Sequence, residues 1–357
     1  MDSERDMPMR IARPAMCLLF ALAVMSGPDA QLASVQNGPT GRQVDGAIVR
    51  ALRFLASQQR PTGAWRVRNN DGASTTSLAI MAFMSAGHVP GEGPYGDAME
   101  RGIRWVLNNQ QPTGLFSHRA GSGPMYTHGI CTLMLAEVAG MVDSTLAPRI
   151  RKGLEEAVLL ILRAQAVPKP QSHAGGWRYQ PNSPDSDLSV TGWQLLALRA
   201  AKNIGCDVPA ESIDYAVKYV KQCSDPRGGF SYHPRHSVSA TRTGTGILCL
   251  EVCGDHHAPE TLAAADYLLR NPLRFNEGWF FYGVYYCSVG MFQVGGRHWQ
   301  ASRDHITSIL LANQHQDGSW HKTQNGGSEG GYGPIYATSL SVLALAVEYQ
   351  YLPIYQR

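Results

Sequence analysis

The sequence has no long run of lysine or arginine, and its formal net charge is only +3 over 357 residues. Nucleic acids and anionic membrane surfaces are bound by basic stripes, so no nucleic-acid partner is expected. Catalytic signatures are scarce too. There is no H-E-x-x-H, no G-x-S-x-G and no Walker loop. "TGTG", Thr243 to Gly246, has no predicted strand before it and is a weak phosphate signal. Cysteine is sparse and forms no C-x-x-C pair. Cys249 and Cys253 stand four apart in an apolar run, but no His or Asp completes a ligand set. They read as small hydrophobes in tight helix packing, and neither a metal nor a cofactor is expected. His128, His233, His236, His256 and His257 are scattered, with "HPRH" and "DHH" in predicted loops where solvated histidine is the default.

Long hydrophobic runs are missing as well. Arg10 and Arg13 precede "AMCLLFALAVM", Ala15 to Met25, a stretch too short to span a bilayer. Ser26, Gly27 and Pro28 follow, as in a secretory signal peptide. Residues 1–33 are expected to be a signal peptide or a disordered N-terminal segment. The protein is then exported to the periplasm, cell envelope or extracellular space; a retained signal anchor is the alternative. Export is compatible with a Cys206–Cys223 bridge.

What is abundant is glycine, in a recurring place. Six turns join a glycine to an aromatic: "PTGAW" (Trp65), "PTGLF" (Phe116), "AGGWRY" (Trp177), "RGGFSY" (Phe230), "NEGWFF" (Trp279) and "QDGSW" (Trp320). The aromatics lie 51, 61, 53, 49 and 41 residues apart, the length of a helix pair with its loops. The stretch before each turn carries one apolar stripe. Ile48, Ala51, Leu52 and Leu55 fall at i, i+3, i+4, i+7, and Ile213, Ala216, Val217 and Val220 repeat the spacing. The stretch after each turn, such as "TGWQLLALRAA" or "ATSLSVLALAVEY", is apolar nearly all round and must be covered on every face. Outer helices therefore cover inner ones. An open array would need polar end caps, and the last inner stretch, Thr338 to Tyr349, is as apolar as the others. The expected fold is all-α: a closed α/α toroid of six helix pairs forming one domain over residues 40–357.

Thr76, Thr191, Thr243 and Thr338 stand near the start of inner stretches, with Thr127 and Tyr285 in roughly matching places. They form either a ring of hydroxyls around a mouth or a set of local backbone contacts.

Two motifs carry a family resemblance. Gln314 to Trp320, "QHQDGSW", resembles the Q-x-x-x-G-x-W repeat of squalene and oxidosqualene cyclases. "QRPTGAW" from Gln59 matches it, and "QQPTGLF" from Gln110 does so with Phe for Trp. Terpenoid cyclases and protein prenyltransferase β subunits share this toroid. In the family the Gln and the aromatic tie one helix end to the next unit, which implies structural roles for Trp65, Phe116, Trp177, Phe230, Trp279 and Trp320.

"DSDLS", Asp185 to Ser189, resembles the D-x-D-D-T acid motif of class II terpene cyclases. The resemblance makes Asp187 the proton donor and Asp185 its partner, with Leu188 where the family has a further aspartate and Ser189 for the Thr. Protonating an alkene needs a carboxylic acid that is neutral in a dry pocket, and both burial and a neighbouring carboxylate favour that state. At i, i+2 the two side chains converge only if the segment is not helical. Alternatively Asp187 or Ser186 caps the third inner helix and Asp185 adds favourable charge at its N-terminus.

A terpenoid cavity also presents aromatic faces to cations. Phe281, Tyr282, Tyr285 and Tyr286 at the fifth inner helix, Tyr332 and Tyr336 at the sixth, and Trp193 after the aspartates are the expected substrate-binding residues. They equally suit a filled core. The zinc site of the protein prenyltransferases is not expected, because Gly283 stands where the zinc His would be. The expected function is an exported toroid whose central apolar cavity binds an isoprenoid-like molecule, in its sharpest form a cyclase using Asp187 as general acid. The alternatives are a scaffold binding a ligand or protein partner, and carboxylate chemistry on a sugar in an open cleft.

Overall fold

The computed structural model describes residues 39–68, 70–117, 123–322 and 327–356. The expected signal segment, residues 1–33, lies outside the described residues.

Six helices carry one apolar stripe each: α1 (Pro39–Ser57), α3 (Gly96–Asn108), α5 (Ala147–Gln165), α7 (Ala210–Gln222), α9 (Pro259–Arg270) and α11 (Gly296–Ala312). In α1, Val44, Ala47, Ile48, Ala51, Leu52 and Leu55 are buried while Arg50 and Arg53 face water. Six alternate with them: α2 (Ala73–Ser85), α4 (Pro124–Val138), α6 (Leu188–Asn203), α8 (Ala240–Val252), α10 (Phe280–Val294) and α13 (Gly333–Leu345). Every residue of α2 but Ser74, and every residue of α10 but Phe292, is buried. A four-residue helix, α12 (Gly327–Gly330), a hairpin of β1 (Trp65–Val67) with β2 (Asn70–Gly72) and four three-residue 3-10 turns complete the elements among the described residues.

The inner helices contact each other in the cyclic order α2, α4, α6, α8, α10, α13 and back to α2. The outer helix α11 meets α1 at the same seam. The chain is a closed α/α toroid. "TGTG" is helical, inside α8, and Gly244 serves packing: a Cβ there would lie 2.6 Å from the Cys287 amide nitrogen of α10. The six described cysteines are free.

The turns act as rivets. Gln59 Nε2 donates to Gly63 O in its own turn and to Ala98 O at the start of the next outer helix. Gln110 does the same to Gly114 O and Gly153 O, and Gln314 to Gly318 O and Ala47 O, which closes the ring. Gln165 makes the same pair, to Gly175 O and Ser212 O, although an insertion hides it from the sequence pattern. The indoles of Trp65, Trp177 and Trp320 donate to carbonyls late in the preceding helix, Leu55, Ile161 and Leu310. Gln314→Ala should therefore lose both ties at the seam, roughly 1–3 kcal/mol, measurable as a lower urea midpoint.

The recurring threonines resolve as local contacts. Thr76, Thr191, Thr243 and Thr338 are fully buried, and each hydroxyl accepts the backbone N–H of its turn aromatic at 2.9–3.0 Å. In the second unit this role falls to His128 rather than Thr127. Its Nδ1 accepts from Phe116 N at 3.1 Å and Nε2 lies 3.1 Å from Ala157 O. Burial pushes the His128 pKa down to about 4, so the ring is neutral and Nε2 carries the hydrogen. His128 is thus a core residue. Tyr285 does not hold the fifth turn; its hydroxyl pairs with that of Tyr355. Trp279 departs from the pattern as well. It is 41% exposed with φ +62°, while the adjacent Phe280 is buried.

Candidate functional site

The inner helices start at one end of the ring, and there the acids gather. Trp177 forms a single antiparallel bridge with Asp187, just before α6, with Asp187 N donating to Trp177 O at 2.9 Å. Asp185 and Asp187 are not helical, so both reach one guanidinium. Arg178 Nη1 lies 3.0 Å from Asp185 Oδ2, and Arg178 Nε lies 3.4 Å from Asp187 Oδ2. Asp185 is partly exposed; Asp187 is 0% exposed.

Asp187 is the N-cap of α6. Its Oδ1 accepts from Val190 N at 2.9 Å, while the buried Oδ2 accepts no well-formed hydrogen bond. Burial raises its pKa to about 7. The Val190 amide, Arg178, the Tyr232 hydroxyl and the Ser189 amide pull the other way without offsetting it. The carboxyl is therefore both a cap and an acid that is largely protonated below neutral pH. Leu188 is fully buried and donates its N–H to Tyr232 O at 3.0 Å.

Phenols surround this carboxyl. The Tyr179 and Tyr232 hydroxyls hydrogen-bond each other, and Arg178 lies over both rings at 4.7 and 5.5 Å. Tyr126 packs on Tyr179 with ring centres 5.9 Å apart. The Tyr282 hydroxyl contacts Thr245 Oγ1 at 2.7 Å and bonds the Ser189 side chain as well. Tyr126 and Tyr336 have pKa values pushed well up by burial, yet both rings keep accessible surface, as does Ser189.

The expected aromatic set divides by depth. Tyr282, Tyr332 and Tyr336 lie on the elements that frame this end, with Tyr332 stacked between Trp279 and Tyr336. Trp193, Tyr285 and Tyr286 form a buried stack, Trp193 lying parallel to Tyr285 at 5.5 Å and edge-on to Tyr286 at 5.3 Å. Phe281 packs against Phe275 and Phe280. The opposite end is closed by the chain's last residues. Ile354 N donates to Glu137 Oε2 at 3.3 Å, and Gln293 Nε2 donates to Tyr355 O at 3.0 Å. Two concavities, about 450 and 190 Å³, lie on the outer shell, between α5 and α7 and among α9, α10 and α11, away from the acids.

Arg178, Tyr179, Tyr232, Tyr126, Glu329 and Glu137 escaped the sequence reading. One signal was available for two of them. Tyr179 and Tyr232 each stand two residues after a turn aromatic, the same place in the repeat.

Two buried carboxyls make stability depend on pH. Glu137, at the plugged end, has its pKa raised to about 8 by burial, as Asp187 has to about 7. A raised carboxyl pKa means that the folded state holds a proton which the unfolded chain has released, so stability falls as pH rises through the folded value. Buried neutral His128 acts oppositely, but only below about pH 6.5. Between about pH 6.5 and 8 the melting temperature should therefore drop, and Glu137→Gln should flatten that slope. A flat wild-type profile would remove the buried-acid account of Glu137.

The sequence profile of the prenyltransferase alpha-alpha toroid domain matches residues 42–280 and 185–350. The chain belongs to this family. It is 22% identical over 188 residues to the drimenyl diphosphate synthase of Streptomyces showdoensis, a match covering 53% of this chain and 32% of the synthase. The matched stretch thus spans about a third of that relative's length. Among solved structures, the apo type II terpene cyclase MstE from Scytonema has a TM-score of 0.58 at 16% identity, covering 87% of this chain and 99% of the cyclase. A second MstE structure, similar at TM-score 0.59 and 16% identity, contains the product merosterolic acid A. The α-1,6-mannanase GH76A of Salegentibacter has a TM-score of 0.62 at 12% identity, covering 86% and 99% of the two chains. At these identities the structural likeness shows the fold. The toroid is shared by cyclases and glycoside hydrolases, so the reaction must be read from the site.

Proposed function

We propose that this toroid binds an apolar, isoprenoid-like molecule at the end of the ring where the inner helices begin, and that Asp187 protonates it to start a cyclisation. The observation that carries the reading is the Asp187 carboxyl: fully buried, its pKa raised by that burial, with no well-formed hydrogen bond to Oδ2 and Arg178 Nε 3.4 Å away. Such a group keeps its proton into the neutral range, with a pKa of about 7, so it can present that proton to an alkene brought against Oδ2. Arg178 then supplies the positive charge that steadies the carboxylate left behind, since its Nε lies 3.4 Å from Oδ2. The phenol faces of Tyr126, Tyr282 and Tyr336 suit a passing cation. The match to a drimenyl diphosphate synthase supports the same chemistry. The apolar N-terminal stretch supports export to the envelope or beyond, and the length after it supports a single toroid domain.

The second reading is a non-catalytic toroid that binds a ligand or protein partner. It is favoured by the Trp193–Tyr285–Tyr286 stack, which occupies space inside the ring, and by the structural duty of Asp187 Oδ1. Incubation with squalene, geranylgeraniol and farnesol, followed by mass-spectrometric product analysis, separates the two. Cyclic products from the wild type support the cyclase. Recovery of all three unchanged favours the scaffold.

A further inference from the structure

A second buried carboxyl shares the end of the ring that holds Asp187. Glu329 is 3% exposed and sits at the start of α10. Its Oε1 accepts from Tyr282 N at 2.9 Å, so it caps α10 as Asp187 caps α6. Its Oε2, like Asp187 Oδ2, is buried and accepts no hydrogen bond. Lys322 Nζ forms an ion pair with that oxygen at 3.7 Å, longer than a hydrogen bond, and is bonded to Glu277 O over the rings of Phe275, Phe280 and Phe281.

Two features place this carboxyl with the first site. The repeat register is one: Lys322 stands two residues after Trp320, as Tyr179 and Tyr232 stand two after Trp177 and Phe230. Tyr282 is the other. Its amide binds Glu329, and its hydroxyl reaches the Thr245 and Ser189 side chains beside Asp187. One tyrosine thus spans from the second acid to the first. Tyr336, whose ring keeps accessible surface, has Glu329 as its principal charged neighbour.

We infer that Glu329 is the counter-charge and final proton acceptor for a cation formed in this site. The inference rests on the cyclase reading for its chemistry, and on the geometry alone for cation binding. Asp187 gives its proton to an alkene carbon, using the π electrons of that bond, and is left as carboxylate. At the end of the cascade a C–H bond next to the cationic carbon breaks. Its electrons form a new C=C bond, and the proton passes to Glu329 Oε2. Proton return from Glu329 to Asp187 through solvent restores the starting state, so the reaction is a net isomerisation.

The test uses N,N-dimethyldodecylamine, a cation with an apolar tail, and dodecanol as its neutral counterpart. Both are titrated calorimetrically into the full chain at pH 6. Glu329→Gln keeps an oxygen to cap Tyr282 N and removes the charge. It should weaken the amine roughly tenfold or more while leaving dodecanol affinity and melting temperature near wild type. Lys322→Met, which removes the competing cation, should tighten the amine. Equal amine affinity in wild type and Glu329→Gln, equal loss of amine and dodecanol, or no amine binding by the wild type would each overturn the inference. Product analysis with Asp187→Asn decides the cyclase reading separately. Selective amine loss without any cyclic product would retain Glu329 as a cation site and discard the cyclase, whereas cyclic product with an unaffected Glu329→Gln would do the reverse.

Discussion

Asp187→Asn should lower cyclisation by roughly 10²–10⁴-fold, the usual worth of a positioned general acid. The substitution isolates chemistry from structure. Asn is as good an N-cap as Asp, so its side-chain oxygen can still accept from Val190 N and α6 should keep its start. What disappears is the ionisable proton on the second oxygen. The pH profile reports the same loss. With the Asp187 pKa raised to about 7, wild-type activity should fall as pH rises through that value, because the donor is then lost. Asp185→Asn should matter less. That carboxyl is partly exposed and touches the site through Arg178 alone among the contacts described. The comparison is made in single-turnover assays with the substrate that the wild type converts. Equal rates in wild type and Asp187→Asn would leave the residue with its capping role only.

Gly318→Ala should be among the most destabilising single methyl additions in the chain. Gly318 has φ +88°, and a Cβ there would lie 2.4 Å from Arg50 O, on the first outer helix. The same approach recurs at Gly63, Gly114, Gly175 and Gly228, each against a carbonyl of the following outer helix. At Gly318 the partner lies at the opposite end of the sequence, so the clash falls on the seam. Gly205 provides the control, because φ is +84° and nothing lies within 4 Å of its would-be Cβ. Gly205→Ala should cost only the left-handed strain, roughly 1–2 kcal/mol. Gly318→Ala should cost more than roughly 3 kcal/mol, since backbone must move as well. Urea denaturation of both variants measures the difference. Similar costs would mean that the seam yields freely.

The repeat made the architecture legible before any coordinates. One-sided stripes such as Ile48–Ala51–Leu52–Leu55 and all-round apolar stretches such as that from Thr338 can be satisfied together only by a double shell. The lack of a polar end correctly implied closure. The site was legible in part. "DSD" stood out through its resemblance to an acid motif, and the repeat register agrees: the residue four before the recurring Thr is Gly72 in the first unit, Ser239 in the fourth, and an acid, Asp187, in the third. That register explains why Asp187 caps its helix through Oδ1 and leaves its second oxygen to Arg178.

The rest depended on contacts that no local pattern encodes. Arg178 and Tyr232 belong to different turns and meet only because neighbouring units stack. Nothing in the glycine-rich "GGSEGGYG" marks Glu329, which is buried where it meets the start of α10. Gln165 was hidden by the longer loop before Trp177, although its hydrogen bonds match those of Gln59. Trp279 misled because its turn resembles the others in composition, while Phe280 takes the buried place. Thr127 misled by one position, since His128 supplies an acceptor where other units use a hydroxyl.

The central claim is that Asp187 is a buried acid that keeps its proton up to about pH 7, and infrared titration tests it most directly. The difference spectrum between wild type and Asp187→Asn isolates one carboxyl, whose C=O band is lost on ionisation. A protonated carboxyl persisting at pH 5 to 6 and disappearing with a midpoint of about 7 is the predicted result. Ionisation complete by pH 5, as for an ordinary surface aspartate, would contradict it.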